Sequence, residues 1–209
     1  MNKMKTTINY LSARLYQKRN KNKDFTLIAR DCIGGLVYHQ LKLRFLSPTI
    51  NLFFEPADFN EFCLNLKNYI DCEMTELKGS NIEYPVGVIS PKNMKPIKVH
   101  FMHYESFIEA HNKWEERKKR INWNNIYVVS SFCYPGEIKT YSEELVNDWN
   151  KIPYKKVVFT DKHYGFDNEF IIDKPEECEE YAWLLFTPGK KITWKRTFNK
   201  FNFIKFLKK

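Results

Sequence analysis

The segment that most constrains the fold is Phe25-Thr26-Leu27-Ile28-Ala29, an apolar run with a helix-forming stretch close behind it. The run is suited to a strand buried on both faces. Arg30-Asp31-Cys32-Ile33-Gly34-Gly35 then leads directly into a helical pattern over residues 36–43. A buried strand that turns straight into a helix belongs to sheets covered on both sides. The alternation continues along the chain. Ser47-Pro48 opens a strand over 49–54, and Glu55-Pro56-Ala57-Asp58 starts a helix with Phe59, Phe62, Cys63, Leu66 and Tyr69 on one face. Strands over 84–89 and 97–104 flank a turn at Ser90-Pro91-Lys92-Asn93. Ser106 caps a charged helix reaching residue 121, followed by a strand over 126–132, a helix over 142–149 and a strand over 156–160. Pro175 begins a last helix with Tyr181, Leu184 and Leu185 inward. This order predicts an α/β fold, a three-layer mixed sheet with helices on both faces.

Charge divides the chain of 209 residues into a body and two ends. Residues 1–23 carry seven Lys or Arg and no acid, and residues 190–209 carry eight and again no acid. The formal net charge of +9 therefore describes basic ends on a body, residues 24–189, that is net negative. The expected organisation is a basic N-terminal arm (1–23), one α/β domain (24–189) and a basic amphipathic tail (190–209). Basic ends attract anionic surfaces. In the tail, Trp194, Phe198, Phe201 and Leu207 fall near one helical stripe with lysines alongside, as in a helix lying in a membrane interface. The plainer alternative is that these aromatics pack on the domain. No zinc-finger spacing or RNP-like motif is present, so no nucleic-acid partner is expected. No apolar run approaches the ~18 residues that cross a bilayer, and no export signal follows Met1, so the expected location is cytoplasmic, possible peripheral contact with the inner membrane face included.

Five cysteines (Cys32, Cys63, Cys72, Cys133, Cys178) form an odd set without a C-x-x-C pair. Neither a disulfide framework nor a zinc site is expected, and no metal or cofactor is assigned. Cys63 and Cys178 fall in helical patterns as core filler. Cys32 differs, because it lies where a strand ends and a helix begins. Helix-end amides favour a thiolate there and can bind an oxyanion on an attacked carbonyl. Asp31, Gly34 and Gly35 frame this turn as substrate-contacting positions, the glycines admitting a substrate close to the backbone. The alternative is an ordinary strand-to-helix turn around a buried thiol.

A nucleophilic thiol needs a base. His100 and His103 are three apart in the expected strand and so face opposite sides, which speaks against a shared metal. His103 lies at the far end of that strand and is the candidate base. Asp161, after Val157-Val158-Phe159-Thr160, is the candidate orienting acid, with Asn124 and Asn125 as rivals. On the charged helix, Phe107, Trp114 and Ile121 recur every seven residues, and Trp114, Arg117 and Arg120 are candidate substrate-binding residues. The two arginines, three apart, suit one phosphate. A solvated, ion-paired helix face explains the same charges.

Several blocks together resemble the domain of unknown function 1919 family. They are residues 25–35 with Val37-Tyr38 and Ser47-Pro48-Thr49-Ile50-Asn51-Leu52-Phe53, then His103-Tyr104, Glu109-Ala110, Trp114, Arg117 and Arg120-Ile121-Asn122, and finally Val157-Val158-Phe159-Thr160. The resemblance covers roughly residues 20–165. It implies an α/β fold and a place in bacterial exopolysaccharide or capsule biosynthesis. The Cys-then-His order also resembles papain-like cysteine enzymes in layout. Where the family often carries an asparagine and an aromatic around the cysteine, this chain has Asp31 and Ile33, and an acid there raises the thiol pKa. The reading that results is a transferase moving an acyl group, such as acetyl, onto a glycan or lipid-linked sugar. A glycosyltransferase using a nucleotide sugar, disfavoured by the lack of a D-x-D pair, and a non-catalytic membrane-docking scaffold are the alternatives.

Overall fold

The structure, a computed structural model, describes residues 2–79, 82–133, 137–172 and 197–208. In chain order the elements are α1 (Asn2–Arg19), β1 (Thr26–Ala29), α2 (Ile33–Leu41), α3 (Pro56–Leu64), α4 (Leu66–Asp71), β2 (Met74–Glu76), β3 (Val86–Ile89), β4 (Ile97–His100), α5 (Phe107–Lys118), β5 (Ile126–Phe132), α6 (Glu143–Lys151), β6 (Lys155–Thr160), β7 (Glu169–Ile171) and α7 (Phe203–Phe206). Among the described residues no helix is long and apolar enough to cross a membrane.

The expected α/β architecture is present, with its strands divided between two sheets. A four-stranded parallel sheet has the order β1-β5-β6-β7, and a three-stranded antiparallel sheet has the order β2-β3-β4. Alternation along the parallel strands splits the apolar residues between two cores. Leu27, Tyr127, Val129, Val157 and Phe159 join α2 and the C-terminal aromatics on one side. Ile28, Val128 and Val158 join α3, α5, α6 and the antiparallel sheet on the other. Every residue of β5 is buried, as a central strand covered on both faces requires.

Residues 53 and 54 link the two sheets. Phe53 and His100 exchange backbone hydrogen bonds of 2.9 Å each, continuing the edge of β4. The next amide, Phe54 N–H, donates to the Arg30 carbonyl at 3.0 Å, while Arg30 N–H donates to Val129 of β5 at 3.0 Å. Backbone bonding thus runs from β5 through the end of β1 to β4, and it brings the end of the antiparallel sheet beside the start of α2.

Three local expectations change. The strand expected over 49–54 is irregular except at Phe53, because Ile50 N–H closes a turn on Pro48 and Asn51 adopts a left-handed φ of 61°. β4 stops at His100 instead of continuing to 104, since Tyr104 N–H turns back onto the Phe101 carbonyl at 3.0 Å. The tail is not one amphipathic helix over its described part. A 3₁₀ turn (Thr197–Lys200) precedes the four-residue α7, and Phe198, Phe203 and Leu207 are fully buried in the core under the parallel sheet. The packing alternative therefore holds for those residues. Trp194, Cys178 and the helix expected from Pro175 lie outside the described residues.

Candidate active site

Cys32 occupies the N-cap position of α2, just beyond the carboxyl-end rim of β1. Its neighbour Asp31 does the capping: one carboxylate oxygen accepts from Ile33 N–H at 2.8 Å, and the other accepts from the Ser131 hydroxyl at 2.6 Å. Arg30 donates to Ser131 Oγ at 2.9 Å and to the Phe54 carbonyl at 3.0 Å. Arg30, Asp31 and Ser131 are all buried, so the floor beneath Cys32 is a hydrogen-bonded polar network fixed by β5 and the 53–54 junction.

His103 arrives from the other sheet. Phe101 anchors the chain after β4, its ring buried and its N–H donating to the Pro85 carbonyl at 2.9 Å. The 101–104 turn then projects His103, which is exposed, toward α2. Cys32 Sγ and His103 Nε2 lie 3.2 Å apart, across 71 positions of sequence. Burial, reinforced by the charge of Asp31, pushes the Cys32 thiol up to about 12. A thiol held protonated in this way is placed to donate to Nε2 when the imidazole carries its proton on Nδ1. A thiol of this kind gains nucleophilicity when the imidazole takes its proton during attack.

Among the described residues His103 has no second hydrogen-bond partner, so its placement rests on the turn. Tyr104 fixes that turn. Its hydroxyl donates to the Ile50 carbonyl at 3.1 Å and accepts from Arg117 at 2.7 Å, and Arg117 also reaches Ile50 O at 3.2 Å. Burial raises the Tyr104 pKa against the opposing charge and hydrogen bond of Arg117, with the charge of Glu109 adding to the rise. Nothing in the sequence pattern singles out Tyr104 for a role, although it adjoins the candidate base in the second block of the family resemblance. Ser131 is legible only as a polar residue near the end of an apolar strand.

The remaining candidates lie elsewhere or have other work. Asp161, past the end of β6, accepts from Tyr164 OH at 2.9 Å. β6 is two strands from β1, roughly 10 Å across the sheet. Asn125 is buried at the amino end of β5, the opposite rim, where it bonds Asn22, and Asn124 N–H bonds the Asn122 side chain beside it. Neither asparagine can orient His103. Trp114 is 1% exposed against Phe62 and offers no ligand surface. Arg117 is buried over the Phe45 ring and occupied by Tyr104 and Ile50. Arg120 bonds the Phe45 carbonyl and pairs with Glu116, so the helix arginines hold loops instead of gripping a phosphate.

Asp31 has both oxygens occupied, and Gly34 serves packing, since a Cβ there would meet Ala29 Cβ at 2.7 Å. A Cβ at Gly35 would lie 3.4 Å from Asn51 Oδ1. His100 points inward, stacked on Phe53 at 4.4 Å, and burial holds its pKa below the usual histidine range. Among the described residues no three His, Cys, Asp or Glu side chains converge as metal ligands.

Fold and site together define an α/β protein with a cysteine–histidine pair at the carboxyl rim of a parallel sheet. The chain belongs to the domain of unknown function 1919 family (DUF1919), which it matches over residues 3–208, both basic ends included. It is 27% identical over 211 residues to an uncharacterized protein of Haemophilus influenzae (strain KW20/Rd), spanning 97% of this chain and 95% of that one.

Proposed function

We propose that this protein is a cysteine-dependent acyltransferase, acting on a glycan or lipid-linked sugar in bacterial exopolysaccharide or capsule assembly. The observation that carries the reading is the 3.2 Å contact between Cys32 Sγ and His103 Nε2 at the start of a helix. The polysaccharide setting is what the family resemblance implies, and an acyl group is the cargo that this pair handles best.

In the first half-reaction His103 Nε2 takes the thiol proton as Sγ bonds to the donor's acyl carbon. The carbonyl electron pair moves onto oxygen. Ile33 N–H is already occupied by Asp31. The amides of Gly34 and Gly35, in the first turn of α2 without intrahelical acceptors, are the donors available to that oxyanion. Collapse expels the donor's leaving group, which takes the proton from Nε2 and leaves a thioester on Cys32. In the second half Nε2 accepts the proton of a sugar hydroxyl as its oxygen attacks the thioester. The departing sulfur recovers the proton, and the neutral pair is restored.

The test is acetyl transfer from p-nitrophenyl acetate to a panel of sugars by the full chain, its Cys32→Ala variant and its Cys63→Ala variant. Loss with Cys32→Ala and retention with Cys63→Ala is the expected result. Full transfer by Cys32→Ala would remove the mechanism, and no transfer by the full chain would favour the scaffold.

A further inference from the structure

We infer that α1 and the C-terminal turn form a docking surface for an anionic phospholipid bilayer, with a groove between them for a lipid headgroup. This goes beyond the acyl-transfer reading and does not depend on it. Along the part of α1 from residue 11 onward, the exposed residues are Leu11, Arg14, Leu15, Lys18 and Arg19. Their spacing of three, four, seven and eight places them on a single helical face. Leu11 and Leu15 are 53% and 57% exposed, two large apolar side chains one turn apart in contact with water. Cations intersperse them, and the whole segment 1–23 contains no acid to oppose an anionic surface. Apolar side chains that enter the acyl boundary, with long basic stems reaching back to phosphates, are how a helix lies in an interface.

The groove adds a receptor to that face. It measures about 440 Å³ and lies between α1 and residues 199–204, lined by Leu15, Tyr16, Arg19, Asn199, Lys200 and Ile204 among others. Arg19 and Lys200 suit phosphate oxygens, while Leu15 and Ile204 suit the first methylenes of an acyl chain. A free polynucleotide would engage the same cations and leave Leu11 and Leu15 in water. Phe198, Phe203 and Phe206 are packed under the sheet and unavailable for insertion, and the half-buried Phe201 lines the groove, so contact of exposed apolar side chains with lipid falls to α1.

The experiment is co-sedimentation of the full chain with vesicles of phosphatidylglycerol and phosphatidylcholine, and with vesicles of phosphatidylcholine alone. The expected result is binding to the anionic vesicles only, lost at about 1 M salt. Arg19→Glu with Lys200→Glu weakens it about tenfold or more. Leu11→Ser with Leu15→Ser weakens it about tenfold. Cys32→Ala binds as the parent does. Circular dichroism melting checks each variant, and if the leucine pair melts early, Arg14→Glu with Lys18→Glu carries the same expectation. Equal binding to neutral vesicles, or charge reversals without effect, would overturn the proposal. Protection by inorganic phosphate or binding of a single-stranded oligonucleotide, in the absence of vesicle binding, would overturn it equally.

Discussion

The rims of β1 and β6 sit at the same end of one parallel sheet, and each carries titratable side chains, yet of the two only the β1 rim brings a cysteine against a histidine. At β1 the antiparallel sheet docks through Phe53 and His100, so a turn from outside the parallel sheet delivers His103 to Cys32. At β6 the groups come from the loop that follows it and from the first residue of β7. Asp161 bonds Tyr164, and His163 pairs with Glu169 while its own side chain is 77% exposed. The β1 pair rests on a buried floor of Arg30, Asp31 and Ser131, whereas at β6 the mostly buried Glu169 side chain holds a histidine that lies in the open. Carboxyl ends of parallel strands are places where ligands collect, but the chemistry depends on which second element is held against them.

Substitutions at matched positions break or sharpen this contrast. Removing the β1 imidazole with His103→Ala should cut p-nitrophenyl acetate turnover by roughly 10²- to 10⁴-fold, while His163→Ala at β6 leaves it within about twofold. Steady-state rates of both variants check this.

The two glycines beside the rims should differ next. Gly34→Ala places a methyl 2.7 Å from Ala29 Cβ on a rigid strand, and thermal melts should show a loss of about 1–3 kcal/mol. Gly165→Ala meets nothing closer than 3.9 Å, but its φ of +94° is unfavourable to a side chain, and about 1 kcal/mol is expected.

The charge of Asp31 gives a pH effect of defined sign. The thiol is held up, to about 12, by burial first and by Asp31 second, so iodoacetamide labelling of Cys32 should be slow at neutral pH and climb steeply toward alkaline pH. Asp31→Asn removes the second cause and also replaces one of the two oxygens that accept from Ile33 N–H and the Ser131 hydroxyl by an amide donor. The labelling profile should move to lower pH by the smaller part of the elevation, because burial, its first cause, remains. A shift to higher pH would mean that Asp31 favours the thiolate. Asp161→Asn, the smallest change expected, should leave that profile unmoved.

Much of this is legible in the sequence, for identifiable reasons. The apolar runs of β1, β5 and β6 and the serine cap of α5 are local signals, and Ser106 does accept a hydrogen bond from Glu109 N–H, while Ser142, expected as the first residue of its helix, is the cap of α6 and accepts from Leu145 N–H. Cys32 is legible as a strand-end residue, whereas His103, expected at the end of a strand over 97–104, lies on the turn after a strand that stops at His100. The features that escape depend on a long-range junction or on side-chain partners. Nothing local in Phe53 or Phe54 announces that two sheets meet there. Nothing local in Arg117 says that its guanidinium faces inward to Tyr104 and Ile50, because an arginine on a charged helix reads as a solvated one. The C-terminal lysines and phenylalanines likewise admit a membrane helix until the aromatics are placed under β1 and β6. The three-residue strands β2 and β7 are too short to carry a period.

The most direct test of the Cys32–His103 pair is to mix the protein with p-nitrophenyl acetate, quench rapidly and map the acetylated peptide by mass spectrometry. The account predicts one acetyl group on Cys32 that forms and then disappears on turnover, forms far more slowly in His103→Ala, and is absent in Cys32→Ser. Acetyl groups confined to Cys72, Cys133 or lysines, with Cys32 unmodified in the native chain, would contradict it.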